Sequence, residues 1–153
     1  MSDVADPYAV MRPRRGRAVA IGFGIGSLGL FGAVAVLITG TGIRGWNVTD
    51  SLLMFGVGVL IALMMWRFAA LRAVPSPSGL EVRNVLLTRR VAWSEIERVH
   101  FAGGDPWVLL DLTDGDQLAV MAVQRADGPY GQAEASRLAA LVEAGRRRAS
   151  GPA

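Results

Sequence analysis

AVAIGFGIGSLGLFGAVAVLITGTGI, residues 18–43, carries no charged side chain over about 26 positions. A helix needs only about 20 apolar residues to cross the hydrocarbon core of a bilayer. A second run, SLLMFGVGVLIALMMWRFAAL at 51–71, is interrupted only by Arg67 near its end, where a guanidinium can snorkel to the headgroups along its apolar stem. The connector 44–50 is too short for anything but antiparallel neighbours, so the two runs read as a transmembrane hairpin. Trp46 and Trp66 fall where interfacial aromatic anchors are expected.

The arginines orient the hairpin. Arg12, Arg14, Arg15 and Arg17 precede the first span, Arg67 and Arg72 close the second, and the connector holds only Arg44. By the positive-inside rule both termini face the cytoplasm, which makes the chain a multi-pass plasma-membrane protein. The alternative is a cleaved signal peptide, with Arg12 to Arg17 as its basic region and Ala33-Val34-Ala35 as its cleavage site. Against it, the apolar run continues through Val36, Leu37 and Ile38, and a second span follows.

The pI near 10.5 invites a nucleic-acid reading. Charge location argues otherwise: residues 1–72 hold seven arginines against three acids, and the remainder nine against ten. The basic excess flanks the apolar runs, as orientation charge does, and no nucleic-acid partner is expected. All sixteen basic residues are arginine, and Ala, Gly and Val abound, which fits a GC-rich, actinobacterial coding sequence. The chain has no cysteine, which excludes disulfides, thiolate metal sites and cysteine nucleophiles.

Gly24-Ile25-Gly26-Ser27-Leu28-Gly29 spells the dinucleotide fingerprint G-x-G-x-x-G, but without the preceding strand, amphipathic helix and acidic residue that the motif needs. Inside an apolar run the glycines serve close helix packing instead. Gly22 and Gly26 form a G-x-x-x-G face, with Gly56 or Gly58 as a counterpart, either within the hairpin or between copies of the chain.

Pro75-Ser76-Pro77-Ser78-Gly79 is a turn-rich linker that ends the helical part and opens a folded domain. Short runs at strand-like spacing follow: Leu80–Arg83, Leu86–Ala92, Ile96–Ala102, Trp107–Thr113 and Gln117–Val123. The last two flank Asp114-Gly115-Asp116, whose Asp-Gly step signals a tight hairpin. Beyond Gly131 the period becomes helical, with Ala135, Leu138, Ala139, Leu141 and Val142 on one face and Arg146, Arg147 and Arg148 near the end. The expected organisation is a basic N-terminus (1–17), the hairpin (18–72, spans 18–43 and 51–71), a domain (75–148) and a disordered tail (149–153).

These residues carry a resemblance. Gly-Leu-Glu-Val-Arg-Asn at 79–84, Trp-Ser-Glu-Ile at 93–96, the Asp-Gly hairpin, Ala-Val-Gln-Arg-Ala-Asp-Gly at 122–128 and a final helix resemble the bacterial PH-like domain. Two spans followed by this domain are similar, more narrowly, to the actinobacterial proteins related to low molecular weight protein antigen six. The resemblance implies a small α+β domain: a bent β-sheet or partly open barrel, capped by a C-terminal helix, with more strands than the five read above, the missing ones sought within Leu71 to Ser78. It implies no catalytic set and no ligand.

The chemistry-bearing residues have structural readings. Trp93 is a core anchor at a strand entrance. Glu97 and His100 would have metal spacing only on a helix and with a second ligand pair, so no metal is expected. Asp111, Asp114 and Asp116 lack the calcium-loop pattern. Asn47-Val48-Thr49 fits the glycosylation sequon by coincidence. With no G-x-S-x-G elbow, P-loop or lysine, neither an enzyme nor a cofactor is expected. The expectation is an interaction module at the membrane, with lipids, an unidentified protein, and further copies of the chain through the glycine faces as partners. An alternative is a sensor of anionic lipid or a small ligand, with Arg83, Arg89 and Arg90 as its contacts.

Overall fold

The structure, a computed structural model, describes residues 6–150. The chain forms two units: residues 17–69, and a domain assembled from the segments on either side of them.

The first unit contains α1 (Arg15–Thr41) and α2 (Val48–Ala69). Both are long and apolar enough to cross a bilayer, yet only 17% and 6% of their most apolar stretches are buried. Leu37, Leu60, Leu63 and Phe23 lie open.

The helices touch through small residues. Ser27 is buried, and its Oγ lies within donor reach of Gly24 O on its own helix (3.0 Å) and Gly58 O on the other (3.1 Å). A Cβ at Gly58 would lie 2.7 Å from Phe31 Cβ, and one at Gly24 3.3 Å from Met65 Cβ. Gly22, Gly26 and Gly56 have nothing within 4 Å of that position. Contact within the hairpin therefore runs through Gly24 and Gly58, while the Gly22–Gly26 face is turned away from it. The whole G-x-G-x-x-G string lies inside α1.

At the connector, Asn47 Oδ1 accepts the N–H groups of Thr49 (2.7 Å) and Asp50 (3.3 Å), and Asp50 Oδ2 accepts the Asn47 N–H at 2.9 Å. This reciprocal cap satisfies donors that the start of α2 would otherwise leave orphaned. It gives the sequon a structural meaning.

The second unit holds two antiparallel sheets of three strands and one helix. Strands β1 (Arg72–Pro75), β2 (Gly79–Arg83) and β3 (Thr88–Ala92) form the first sheet in that order. Strands β4 (Ile96–His100), β5 (Trp107–Leu112) and β6 (Gln117–Gln124) form the second, and α3 (Pro129–Ser150) closes the domain. The sheets do not close into a barrel. Period-2 alternation turns Leu80, Val82, Val108, Leu110 and Val120 inward, all at most 1% exposed. Helix α3 covers them with Ala135, Leu138 and Val142, whereas Ala139, expected on that face, is exposed. Trp93 is buried as expected, its Nε1–H donating to Ser76 O at 2.9 Å. Gly145 packs on its ring so closely that any side chain there would collide with it. The Asp-Gly hairpin is present, with Gly115 at φ +86°.

Strand β1, Arg72–Pro75, lies within 71–78, the stretch in which further strands are sought from the sequence. Two features depart from the sequence reading. The run expected as a strand from Leu86 begins only at Thr88, because Asn84–Leu87 is a turn closed by the Asn84 N–H on Leu87 O at 2.9 Å. Helix α3 runs on through Ala149 and Ser150, while residues 151–153 of the expected tail, like residues 1–5 at the other end, lie outside the described residues.

The segment before α1 belongs to the domain. Met11 and Ala73 exchange both backbone hydrogen bonds (2.9 and 3.0 Å), and the Met11 side chain is fully buried in the core. Asp127, 6% exposed, accepts the N–H groups of Arg14 (3.0 Å) and Arg15 (2.7 Å), where α1 begins. A carboxylate suits the positive end of a helix and satisfies two of its free donors. The Arg14 guanidinium lies 3.8 Å over the Tyr130 ring, and the Arg148 side chain donates to Tyr8 Oη.

Candidate functional site

Adjacent residues of a strand point to opposite faces, and this separates the three arginines singled out in the sequence. On β3, Val91 turns inward, so Arg89 shares the core-facing side and Arg90 the outer side. From the rim, Arg89 reaches the β5–β6 turn, its Nη1 3.0 Å from Asp116 and its Nη2 3.1 Å from Asp114. The hydrogen bond that Arg89 donates to Asp116 is the main cause holding the Arg89 pKa above its ordinary value, with both carboxylate charges adding to it. Arg89 is a clamp between the two sheets.

Arg83 and Arg90 stay together on the outer face of the first sheet, and Arg72 joins them. The register sets Arg72 opposite Arg83, and Glu81 opposite both Val74 on β1 and Arg90 on β3. Arg90 Nε donates to Glu81 at 2.7 Å, and Arg72 Nη2 stands 3.7 Å from the same carboxylate. The Arg90 hydrogen bond leads in holding the Glu81 pKa below its ordinary value, against a smaller desolvation effect, and the charges of Arg90, Arg72 and Arg83 contribute. Three guanidinium groups around one carboxylate leave a surplus of two positive charges. At the far end of this face a groove of about 500 Å³ is lined by Val74, Ser76, Gly79, Glu81 and Arg90.

Next to Arg83, the Asn84–Leu87 turn displays Leu86 and Leu87, 83% and 76% exposed. The base of the turn is fixed. Asn84 Nδ2 donates to Ala119 O at 2.8 Å and its Oδ1 accepts the Met121 N–H at 3.3 Å, so this side chain pairs with β6 as a strand residue would.

Elsewhere the chemistry is structural. His100 Nε2 lies 2.5 Å from Asp111 Oδ2, and Gln117 Nε2 donates to Asp111 Oδ1 at 3.0 Å. These two bonds, the Gln117 one foremost, lower the Asp111 pKa. Glu97 and His100 lie on strand β4, not on a helix. Among the described residues no three His, Cys, Asp or Glu side chains gather as a metal site would require. Trp46 sits in the interhelical connector with its indole N–H donating to Ser51 Oγ at 2.7 Å, and Trp66 on α2 is 71% exposed. Arg72 and the leucine turn escaped the sequence reading. Period-2 alternation across Arg72–Pro75 was the available signal for the first, and nothing marked the second.

Residues 71–141 match the family described as the bacterial PH domain. Uncharacterized proteins of Mycobacterium bovis and of two strains of Mycobacterium tuberculosis are 38% identical to this chain over 82 residues, 54% of this chain and 53% of each relative. The chain spans about half the length of the curated relatives it matches. No solved structure gives a significant match.

Proposed function

We propose, from the bacterial PH-domain match, that this chain is a membrane-anchored PH-like module without catalytic activity, displayed at the cytoplasmic face of the plasma membrane to engage a protein partner. One observation carries the reading. Residues from both sides of the hairpin build a single domain, through the Met11–Ala73 pairing and the Asp127 bonds to Arg14 and Arg15. Such a domain requires its two chain segments on one side of the membrane, as a hairpin of two spans delivers them. The arginine excess around the spans assigns that side to the cytoplasm. The two-span layout also suits the narrower likeness to the antigen-six relatives in actinobacteria.

The test is affinity capture of full-length protein from detergent extracts after cross-linking in cells. A stoichiometric protein partner, lost when the outer face of the domain is altered, is the expected result. Recovery of the bait alone in repeated trials contradicts it. Recovery of a second copy of the bait, lost when Gly22 and Gly26 are both replaced by leucine, would instead assign that open face to copy–copy contact.

The second reading, a sensor of anionic lipid, is favoured by one observation: the surplus of positive charge carried by Arg72, Arg83 and Arg90 on a single sheet face. Arg89, committed to Asp114 and Asp116, has no part in it.

A further inference from the structure

We infer that the Leu86–Leu87 turn and the outer arginines of the first sheet form a docking surface for the headgroup layer of an anionic bilayer. This rests on the membrane-anchored reading and adds a second, reversible contact to it.

Exposure comes first. Among the described residues, large apolar side chains lie open in the two apolar helices and their connector and, within the domain, at Val10, Leu86 and Leu87 alone. Leu86 and Leu87 are more exposed than Leu60 on α2, at 67%. A water-facing turn has no need of two adjacent leucines, and paired exposed apolar residues mark an interaction site. Because Asn84 is bound to the backbone of β6, the display is built into the domain.

Register comes second. Arg72 pairs with Arg83, and Arg83 with Thr88, so all three lie at the end of the sheet that bears the turn. Arg72 is also where the chain enters the domain, with only Ala70 and Leu71 between it and the end of α2. The three steps from Ala69 to Arg72 span at most about 11 Å. The leucine turn is thus at the end of the sheet that chain continuity ties to the second span, and the Ser76–Ser78 turn is at the other end.

Charge comes third and selects the occupant. Arg72, Arg83 and Arg90 outnumber Glu81 on the face behind the turn, and the Arg90 side chain is 83% exposed. Apolar residues that enter the acyl boundary, backed by cations at headgroup depth, are the pattern by which peripheral segments bind anionic membranes. A protein partner with an apolar pocket would not require the arginines.

The full chain contains no cysteine, so single labels are available without further change. Full-length protein carrying Leu60→Cys, Leu87→Cys or Ser78→Cys is labelled with bimane and reconstituted in two kinds of vesicle. One is pure phosphatidylcholine and the other equimolar phosphatidylcholine and phosphatidylglycerol. Quenching by lipid-borne nitroxide is compared with quenching by aqueous acrylamide. In the mixed vesicles the Leu87 label should meet the nitroxide and be shielded from acrylamide, while the Ser78 label stays open to acrylamide. Adding Arg90→Gln should lower the ratio of docked to undocked label about fivefold, as expected for one cation near an anionic surface. The change removes an exposed side chain and leaves the core intact.

The inference is overturned, with anchoring intact, if the Leu60 label lies in lipid but the Leu87 label is as open to acrylamide as the Ser78 label. It is also overturned if the Leu87 label meets lipid equally in pure phosphatidylcholine, or is shielded from acrylamide without meeting the nitroxide, which would signify a protein contact. A Leu60 label open to acrylamide would overturn the anchored reading itself.

Discussion

The leucines of this chain live under two regimes. On α1 and α2 they point outward and the small residues Gly24, Ser27 and Gly58 hold the contact. In the domain Leu80, Leu110 and Leu138 are at most 1% exposed, and the charged residues take the surface. The exposure of the first unit suits the bilayer proposed for it, in which leucine is at home and close packing must supply association. The domain follows the rule for water, where burying a leucine contributes about 1.5–3 kcal/mol. The difference teaches how to read an exception: Leu86 and Leu87 belong to the domain by position and to the helices by exposure.

The contrast breaks first at the core. Leu138→Ala should destabilise the domain by about 2–5 kcal/mol, since it removes a fully buried side chain and leaves a cavity. Leu60→Ala on the open face of α2 should leave domain unfolding unchanged. Chemical denaturation in detergent, followed by fluorescence of a chain that keeps Trp93 as its single tryptophan, compares them, and equal losses would show that the two units do not differ as described.

Glycines divide within the apolar unit itself, by whether they lie in the contact between its two helices. Gly58→Val drives a side chain into Phe31 and Ser27 O and should loosen the hairpin by about 1–3 kcal/mol. Gly26→Ala, with open space around it, should be neutral or slightly stabilising. Resistance of the helix pair to SDS-induced separation measures both.

A smaller loss is expected where the chain enters α1. Asp127→Ala removes the acceptor for the Arg14 and Arg15 N–H groups and should cost about 1 kcal/mol, within the range for helix caps. Hydrogen exchange at those two amides should rise selectively. If it does not, the segment before α1 is held by other means.

The smallest effect concerns acid. Glu81 and Asp111 titrate below their ordinary values in the folded domain, so each adds stability that is present above the unfolded pKa and lost as pH falls through the folded one. Their contribution should fade only at pH below the ordinary carboxylate range, and Glu81→Gln should flatten part of that slope in acid titrations of unfolding. A slope centred near neutrality would point to another group.

Much of this was legible in the sequence, for physical reasons that differ by region. The two long apolar helices needed only length and the absence of charge. The β5–β6 hairpin followed from the positive φ that Gly115 supplies, and α3 from its period. Strand β1 lies in the stretch 71–78 where the sequence leaves room for further strands, but its bounds are not legible, because Arg72 directly follows an apolar run and reads as the charge that closes it. The place of Met11 was hidden because its partner, Ala73, lies beyond the whole hairpin, a long-range pairing that no local pattern encodes. The arginine site was half legible: alternation alone separates Arg89 from Arg90, but which face carries Glu81 and Arg72 depends on register. Leu86 and Leu87 read as strand because apolar character marks both a buried strand and an exposed apolar turn.

The most direct test of the account is topology. Reporters active only in the cytoplasm, and others active only outside, are fused in turn before Met1 and after Ala153 of the full chain in a bacterial host. The account predicts cytoplasmic activity at both ends, because the residues before α1 and those after α2 share one domain. External activity at either end would contradict it.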